Sequence, residues 1–105
     1  ETVLEMTGEV LRINPYLVEA MWVRAHAQLA LGRTAEAEGT LQHALSVEPN
    51  FCRGYAKLAE VSERTGSPNA VALEAKAAEC RESAKNRVLE EGERWLVEEP
   101  EASAR

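Results

Sequence analysis

Apolar positions recur at helical spacing along most of the chain. Val3, Thr7 and Val10 fall at i, i+4 and i+7, with Leu4 and Leu11 beside them, and predict a helix over 1–13. Val18, Trp22, Ala25 and Leu29 form a single stripe at i, i+4, i+7 and i+11 in a second helix, 17–31. Ala37, Leu41, Ala44, Leu45 and Val47 line one side of a third, over 35–47. Tyr55, Leu58, Ala59 and Ser62 point inward from a fourth, over 51–65. From residue 69 onward Val71, Ala75, Ala78, Ala84, Val88 and Trp95 keep a looser stripe, with no breaker until Gly92 and Pro100. That pattern predicts one long helix, or two nearly continuous ones bending near Gly92. Few stretches alternate apolar and polar as a half-buried strand would. The fold expected is all-α.

The breakers between these segments are themselves periodic. Asn14-Pro15 suits an N-cap followed by the first helical position, and Gly32-Arg33-Thr34 a helix end followed by a cap. Pro49-Asn50 separates the third and fourth helices, and Gly66-Ser67-Pro68 makes the next turn, with Ser67 as cap. Pro15 and Pro49, Gly32 and Gly66, and Ala25 and Ala59 are each 34 residues apart. A breaker recurring at that period marks a helix-turn-helix repeat whose units bury their apolar faces against each other. The second helix is apolar beyond its main stripe, at Ala20, Met21, Val23, Ala27 and Ala30. It therefore needs more than one neighbour: an adjacent helix, a ligand or another protomer.

Composition sharpens this picture. Hydrophobic residues make up 45% of the 105, enough for one core, but aromatics only 5%. Seventeen alanines imply close helix contact rather than large rings in that core. All 18 acidic residues are glutamate, which favours helix where aspartate favours caps. The net charge of −6 is uneven: residues 90–105, with six glutamates and two arginines, carry −4 of it. An acidic chain repels phosphate backbones, which argues against nucleic-acid binding. No run of about 18 apolar residues is present to insert into a membrane.

The chemistry-bearing residues are sparse. Cys52 and Cys80 are too few and too far apart for a close motif, and read as reduced thiols. An intracellular, cytoplasmic setting follows as the expectation. His26 and His43 stand on different helices with no second ligand at i+4, so no metal site is expected. No phosphate loop or nucleophile turn occurs. Neither an enzyme nor a cofactor is predicted. The chain begins at Glu1, inside a predicted helix, and reads as an excised fragment.

These residues resemble the tetratricopeptide repeat, a 34-residue pair of antiparallel helices. With Val18 as first residue of a unit, Met21 stands where the family prefers Trp. Ala25, Gly32, Ala37, Leu41, Ala44 and Pro49 fall at its other characteristic places. A second unit begins at Cys52, with Tyr55, Leu58-Ala59, Gly66, Val71, Ala75 and Ala78 in the corresponding places. The resemblance divides the chain into a half repeat at 1–15, full units at 16–49 and 50–83, a helical extension at 84–99 and a disordered tail at 100–105. It implies a right-handed α-solenoid of antiparallel helix pairs, closed by a long C-terminal capping helix. Arg24 stands where the family has a core Leu and Gln28 where it has an aromatic, so the first full unit is expected to pack loosely.

The resemblance also implies a peptide-binding groove lined by the first helix of each unit. Carried over by position, that groove includes Glu19, Trp22, His26 and Leu29, then Arg53, Lys57, Glu60 and Arg64. The last four share one helix face, where three cations suit a carboxylate or an acidic peptide. A solvated face held by i,i+3 and i,i+4 pairs is the plainer reading. One subset of the family grips chaperone tails through a two-carboxylate clamp of Lys, Arg and Asn. Here His26, Glu60 and Val23 stand where Asn would, so that clamp is incomplete.

The function expected is that of a scaffold or adaptor docking a protein or peptide partner, acidic in character, on the groove. The alternative is an oligomerisation module, in which Trp22, Val23 and Trp95 are interface residues of a homo-oligomer.

Overall fold

The computed structural model of the chain describes residues 2–84 and 96–97. Among residues 2–84 five α-helices follow one another: α1 (Thr2–Ile13), α2 (Val18–Ala30), α3 (Thr34–Val47), α4 (Cys52–Thr65) and α5 (Ala70–Ala84). Each packs on the next, and α2 also touches α4. No other pair of described helices is in contact. The chain is therefore a stepped row of antiparallel helix pairs, an all-α solenoid, not a bundle closed on itself. Most of the predicted extension over 84–99, Trp95 and the tail at 100–105 lie outside the described residues.

The 34-residue period is written into the backbone hydrogen bonds. At the end of α2, the Arg33 amide donates to the Gln28 carbonyl at 2.8 Å; at the end of α4, the Ser67 amide donates to the Ser62 carbonyl at 2.9 Å. Both are the six-to-one bond of a Schellman turn, which requires a left-handed residue just before the donor. Gly32 and Gly66 supply it, at φ of 80° and 73°. Two more bonds repeat in the connections, from Leu17 to the Asn14 carbonyl at 3.3 Å and from Phe51 to the Glu48 carbonyl at 3.1 Å. Successive pairs therefore step by the same turn.

Helix starts differ from the sequence expectation. Asn14 and Thr34 do not cap; Leu17, Arg33 and Phe51 hold the cap positions without a side-chain hydrogen bond. Asn14 instead accepts from the Tyr16 amide at 3.4 Å. Packing explains the exchange at Phe51, which is fully buried. A side-chain cap contributes about 1 kcal/mol; burying a Phe side chain contributes about 1.5–3 kcal/mol. Ser67 does not cap α5 either, since that helix begins only at Ala70; its Oγ accepts from the Asn69 amide at 3.2 Å in the turn before it.

The main core runs through both pairs. Ala25, Leu29, Ala37, Leu41, Leu58 and Val61 form one cluster; Val18, Met21, Ala44 and Phe51 form another. In α5 the stripe is Ala70, Ala77 and Ala84, one residue out of step with the predicted Val71, Ala75 and Ala78, all exposed. Seven-residue spacing of alanines lets α5 lie close on α4, whereas Val71 is 76% exposed.

Arg24 and Gln28 do not loosen the first pair. Arg24 Nη1 donates to the Leu4 carbonyl at 2.7 Å and reaches Thr7 Oγ1 at 3.2 Å, tying α2 to α1. Gln28 is 4% exposed, and its Oε1 lies 2.8 Å from Thr40 Oγ1 on α3. Each polar intruder is thus hydrogen-bonded across a helix interface, as burial demands.

The cysteines overturn the thiol expectation. Cys52 and Cys80 form a disulfide joining the start of α4 to α5, with Cα atoms 5.4 Å apart. A helical hairpin brings residues 28 apart in sequence side by side, so wide spacing did not preclude pairing.

Candidate functional site

The face shared by α2 and α4 gathers most of the proposed groove residues. Trp22 and His26, one turn apart on α2, stack with ring centres 5.5 Å apart and planes at 8°. Two cations from α4 lie over Trp22: the Arg53 guanidinium carbon at 4.4 Å from the ring centre and Lys57 Nζ at 4.7 Å. Cations over an aromatic face gain about 0.5–2 kcal/mol, more when sheltered from water.

Lys57 is the hub. Its ammonium lies 3.1 Å from His26 Nδ1 and donates to Glu60 Oε1 at 2.9 Å. An ammonium can only donate, so in this contact His26 Nδ1 is the acceptor. Glu60 turns its other oxygen to Arg64 Nη2 at 3.3 Å. The i,i+3 and i,i+4 pairs expected on this helix are both present. Yet the face is not the solvated surface those pairs suggest: Arg53 is 4% and Lys57 8% exposed. His26 and Arg64 are exposed, while Trp22 and Glu60 are half-buried.

The remaining candidates stand apart. Leu29 is 3% exposed and belongs to the core with Ala25 and Leu41. Glu19 is half-buried one turn before Trp22. Val23 is 41% exposed on the adjoining side of α2. Sequence reasoning missed two participants, Phe51 and the Cys52–Cys80 bridge, which fix the first turn of α4 behind Arg53. It also missed the cross-helix pairing, although a signal was present. Trp22 to Arg53 and His26 to Lys57 are each 31 residues, one repeat less about one helical turn.

Among the described residues no three His, Cys, Asp or Glu side chains converge to hold a metal ion. Nor, among them, is any helix long and apolar enough to cross a membrane. The face combines the Trp22–His26 stack with the sheltered cations Arg53 and Lys57 and the exposed Arg64.

The chain is 32% identical over 98 residues to aryl-hydrocarbon-interacting protein-like 1 of Saimiri boliviensis boliviensis, covering 93% of this chain and 24% of that protein. Proteins of the same name from Papio cynocephalus and Bos taurus are 43% and 41% identical over 49 residues, which is 47% of this chain and 13% and 15% of theirs. The chain thus spans a quarter or less of the length of these relatives. No family model matches it, and no solved structure does. By sequence the chain is similar to proteins named for interacting, and by structure it is a helical solenoid.

Proposed function

We propose that the chain is a protein-interaction scaffold that docks an acidic peptide or helix of a partner on the α2–α4 face. The observation that carries this reading is the Trp22–His26 stack beneath Arg53 and Lys57, extended by Arg64 at the exposed end. Aromatic surface next to fixed cations recognises a peptide that brings both carboxylates and apolar side chains. The relatives' name describes a protein that interacts, in keeping with this role. A tetratricopeptide-like reading would put such docking on the first helices of successive pairs, which here are α2 and α4.

Titration of the chain with a fluorescein-labelled, glutamate-rich peptide tests the proposal. Binding should perturb the Trp22 indole resonance and the amides of α2 and α4. His26→Ala with Arg64→Glu, both exposed, should weaken it at least about tenfold, the loss expected for one charge-assisted contact. Perturbations confined to other helices would reject this face. Self-association through Val23 is the second reading, favoured by its 41% exposure. A sedimentation coefficient independent of concentration would discard it.

A further inference from the structure

The side chains that hold α5 on α4 are small. The residues α5 buries are Ala70, Ala77 and Ala84. Of its two large apolar side chains, Leu73 is half-buried against the cluster that holds Leu58 and Val61, and Val71 is exposed. By contrast, α2 buries Val18, Met21 and Leu29, and α3 buries Leu41. Apolar burial stabilises in proportion to area, so an alanine stripe anchors a helix weakly. The Cys52–Cys80 bridge is the covalent part of that contact.

The two sulfurs of the bridge are not equivalent. Cys52 is fully buried and packs with Ala84 and Val97. Cys80 is half-buried and stands in the wall of a cleft of about 510 Å³ between the Pro49-Asn50 turn and α5, with Tyr55 and Lys76. That is room for a small thiol. In disulfide exchange a thiolate reaches one sulfur while the other leaves carrying negative charge. Cys52 is the first residue of α4, where the helix dipole favours negative charge. Access selects Cys80 as the sulfur attacked, and its place at the helix start suits Cys52 to leave.

We propose that the bridge is a redox-sensitive clasp: a small thiol entering this cleft opens it at Cys80, and opening releases α5 from α4. The attacking thiolate bonds to Cys80 Sγ as the bond between the two cysteines breaks. Cys52 departs as a thiolate and takes up the proton that the attacking thiol gave up. A second thiolate then attacks the sulfur of the first and displaces Cys80, which is protonated in turn. Two small thiols are oxidised to one disulfide, and the bridge is reduced to two cysteine thiols. Released, α5 withdraws Leu73 from its cluster. The buried residues that join α2, α3 and α4 include none from α5, so the rest of the row stays folded.

The test exposes the full chain to 2-mercaptoethanol and follows loss of the bridge by alkylation and mass spectrometry. Direct attack in the cleft makes the rate proportional to thiol and indifferent to urea well below the unfolding midpoint. A rate that climbs with such urea would show that the sulfurs are reached only by unfolding, and would overturn the cleft as the point of entry. A chain alkylated at both cysteines before thiol is added overturns the clasp altogether. Hydrogen exchange then reads the release. Reduction should bring the α5 amides close to the rate of an unstructured chain, on the order of a hundredfold faster than before, while α2 and α3 stay protected. If α5 keeps its protection, or if α2 and α3 lose theirs with it, the proposal is overturned. Cys52→Ser with Cys80→Ser should exchange as the reduced chain does, with or without thiol, and slow exchange of α5 in that variant counts against the clasp. Should the double variant fail to fold, the reduced unmodified chain decides the matter by itself.

Discussion

The guanidinium carbon of Arg53 lies 4.4 Å from the centre of the Trp22 ring, and Lys57 meets His26 at the same 31-residue offset. Two contacts at one offset make the join between the first helices of successive pairs a cation–aromatic seam. Trp22→Leu keeps the position apolar and removes the seam. It should lower stability by about 1–2 kcal/mol, the value of sheltered cation–π contacts. Urea unfolding followed by circular dichroism reads this. Stability unchanged by the substitution would mean the cations are held by other contacts.

Glu60 and Glu9 make ion pairs that look alike on paper and should behave differently. Glu9 pairs with Arg12 where both side chains are about two-thirds exposed, whereas Glu60 pairs with Lys57, whose side chain is 9% exposed. Exposed pairs contribute about 0–1 kcal/mol because water and salt screen them. A sheltered ammonium that loses its carboxylate keeps its desolvation cost without compensation. Glu9→Gln should therefore shift stability by less than about 0.5 kcal/mol, and Glu60→Gln should cost about 1–3 kcal/mol. Parallel urea titrations in low and high salt compare them; equal effects would place Lys57 in bulk-like water.

Removal of the Cys52–Cys80 bridge should loosen the second pair. The sulfurs are 28 residues apart in sequence, and closing a loop of that size restricts the unfolded chain by about 3–4 kcal/mol in the chain-entropy picture. Cys52→Ala with Cys80→Ala should lower the unfolding free energy by that order. A reductant should do the same to the unmodified chain and nothing to the double variant. An unfolding midpoint indifferent to reductant in both proteins would show that the bridge does not form in solution.

Helix number and order were legible because Pro15, Gly32, Pro49 and Gly66 recur at one period, and each glycine takes the left-handed turn the pattern required. The register of α5 was less so. Alanine is common enough there that stripes through residue 70 or residue 71 look equally good, and only packing against α4 chooses between them. The candidate site was half legible. One helix face announces Arg53, Lys57, Glu60 and Arg64 as a row, but whether that row meets water depends on Trp22 and His26, which lie elsewhere in sequence. The disulfide was hidden for the same reason, since only the hairpin brings Cys80 back to Cys52.

One substitution made at three glycines separates turn strain, helix propensity and packing. A Cβ at Gly39 on the exposed side of α3 meets nothing within 4 Å. Gly39→Ala should therefore stabilise by about 0.5–1 kcal/mol through propensity alone. At Gly66 the space is equally open but φ is 73°, where an L side chain crowds its own carbonyl. Gly66→Ala should destabilise by up to about 1 kcal/mol, the left-handed penalty less the reduced freedom of the unfolded chain. At Gly54 a Cβ would stand 2.8 Å from Phe51 Cδ2 and 3.1 Å from Leu45 Cδ2. Phe51 is fully buried and has no room to swing away. Overpacking of that kind costs about 1–3 kcal/mol, which outweighs the helix gain of alanine. Urea midpoints should fall in the order Gly39→Ala, unmodified chain, Gly66→Ala, Gly54→Ala. A Gly54→Ala protein at least as stable as the unmodified chain would show that Phe51 does not fill the first turn of α4.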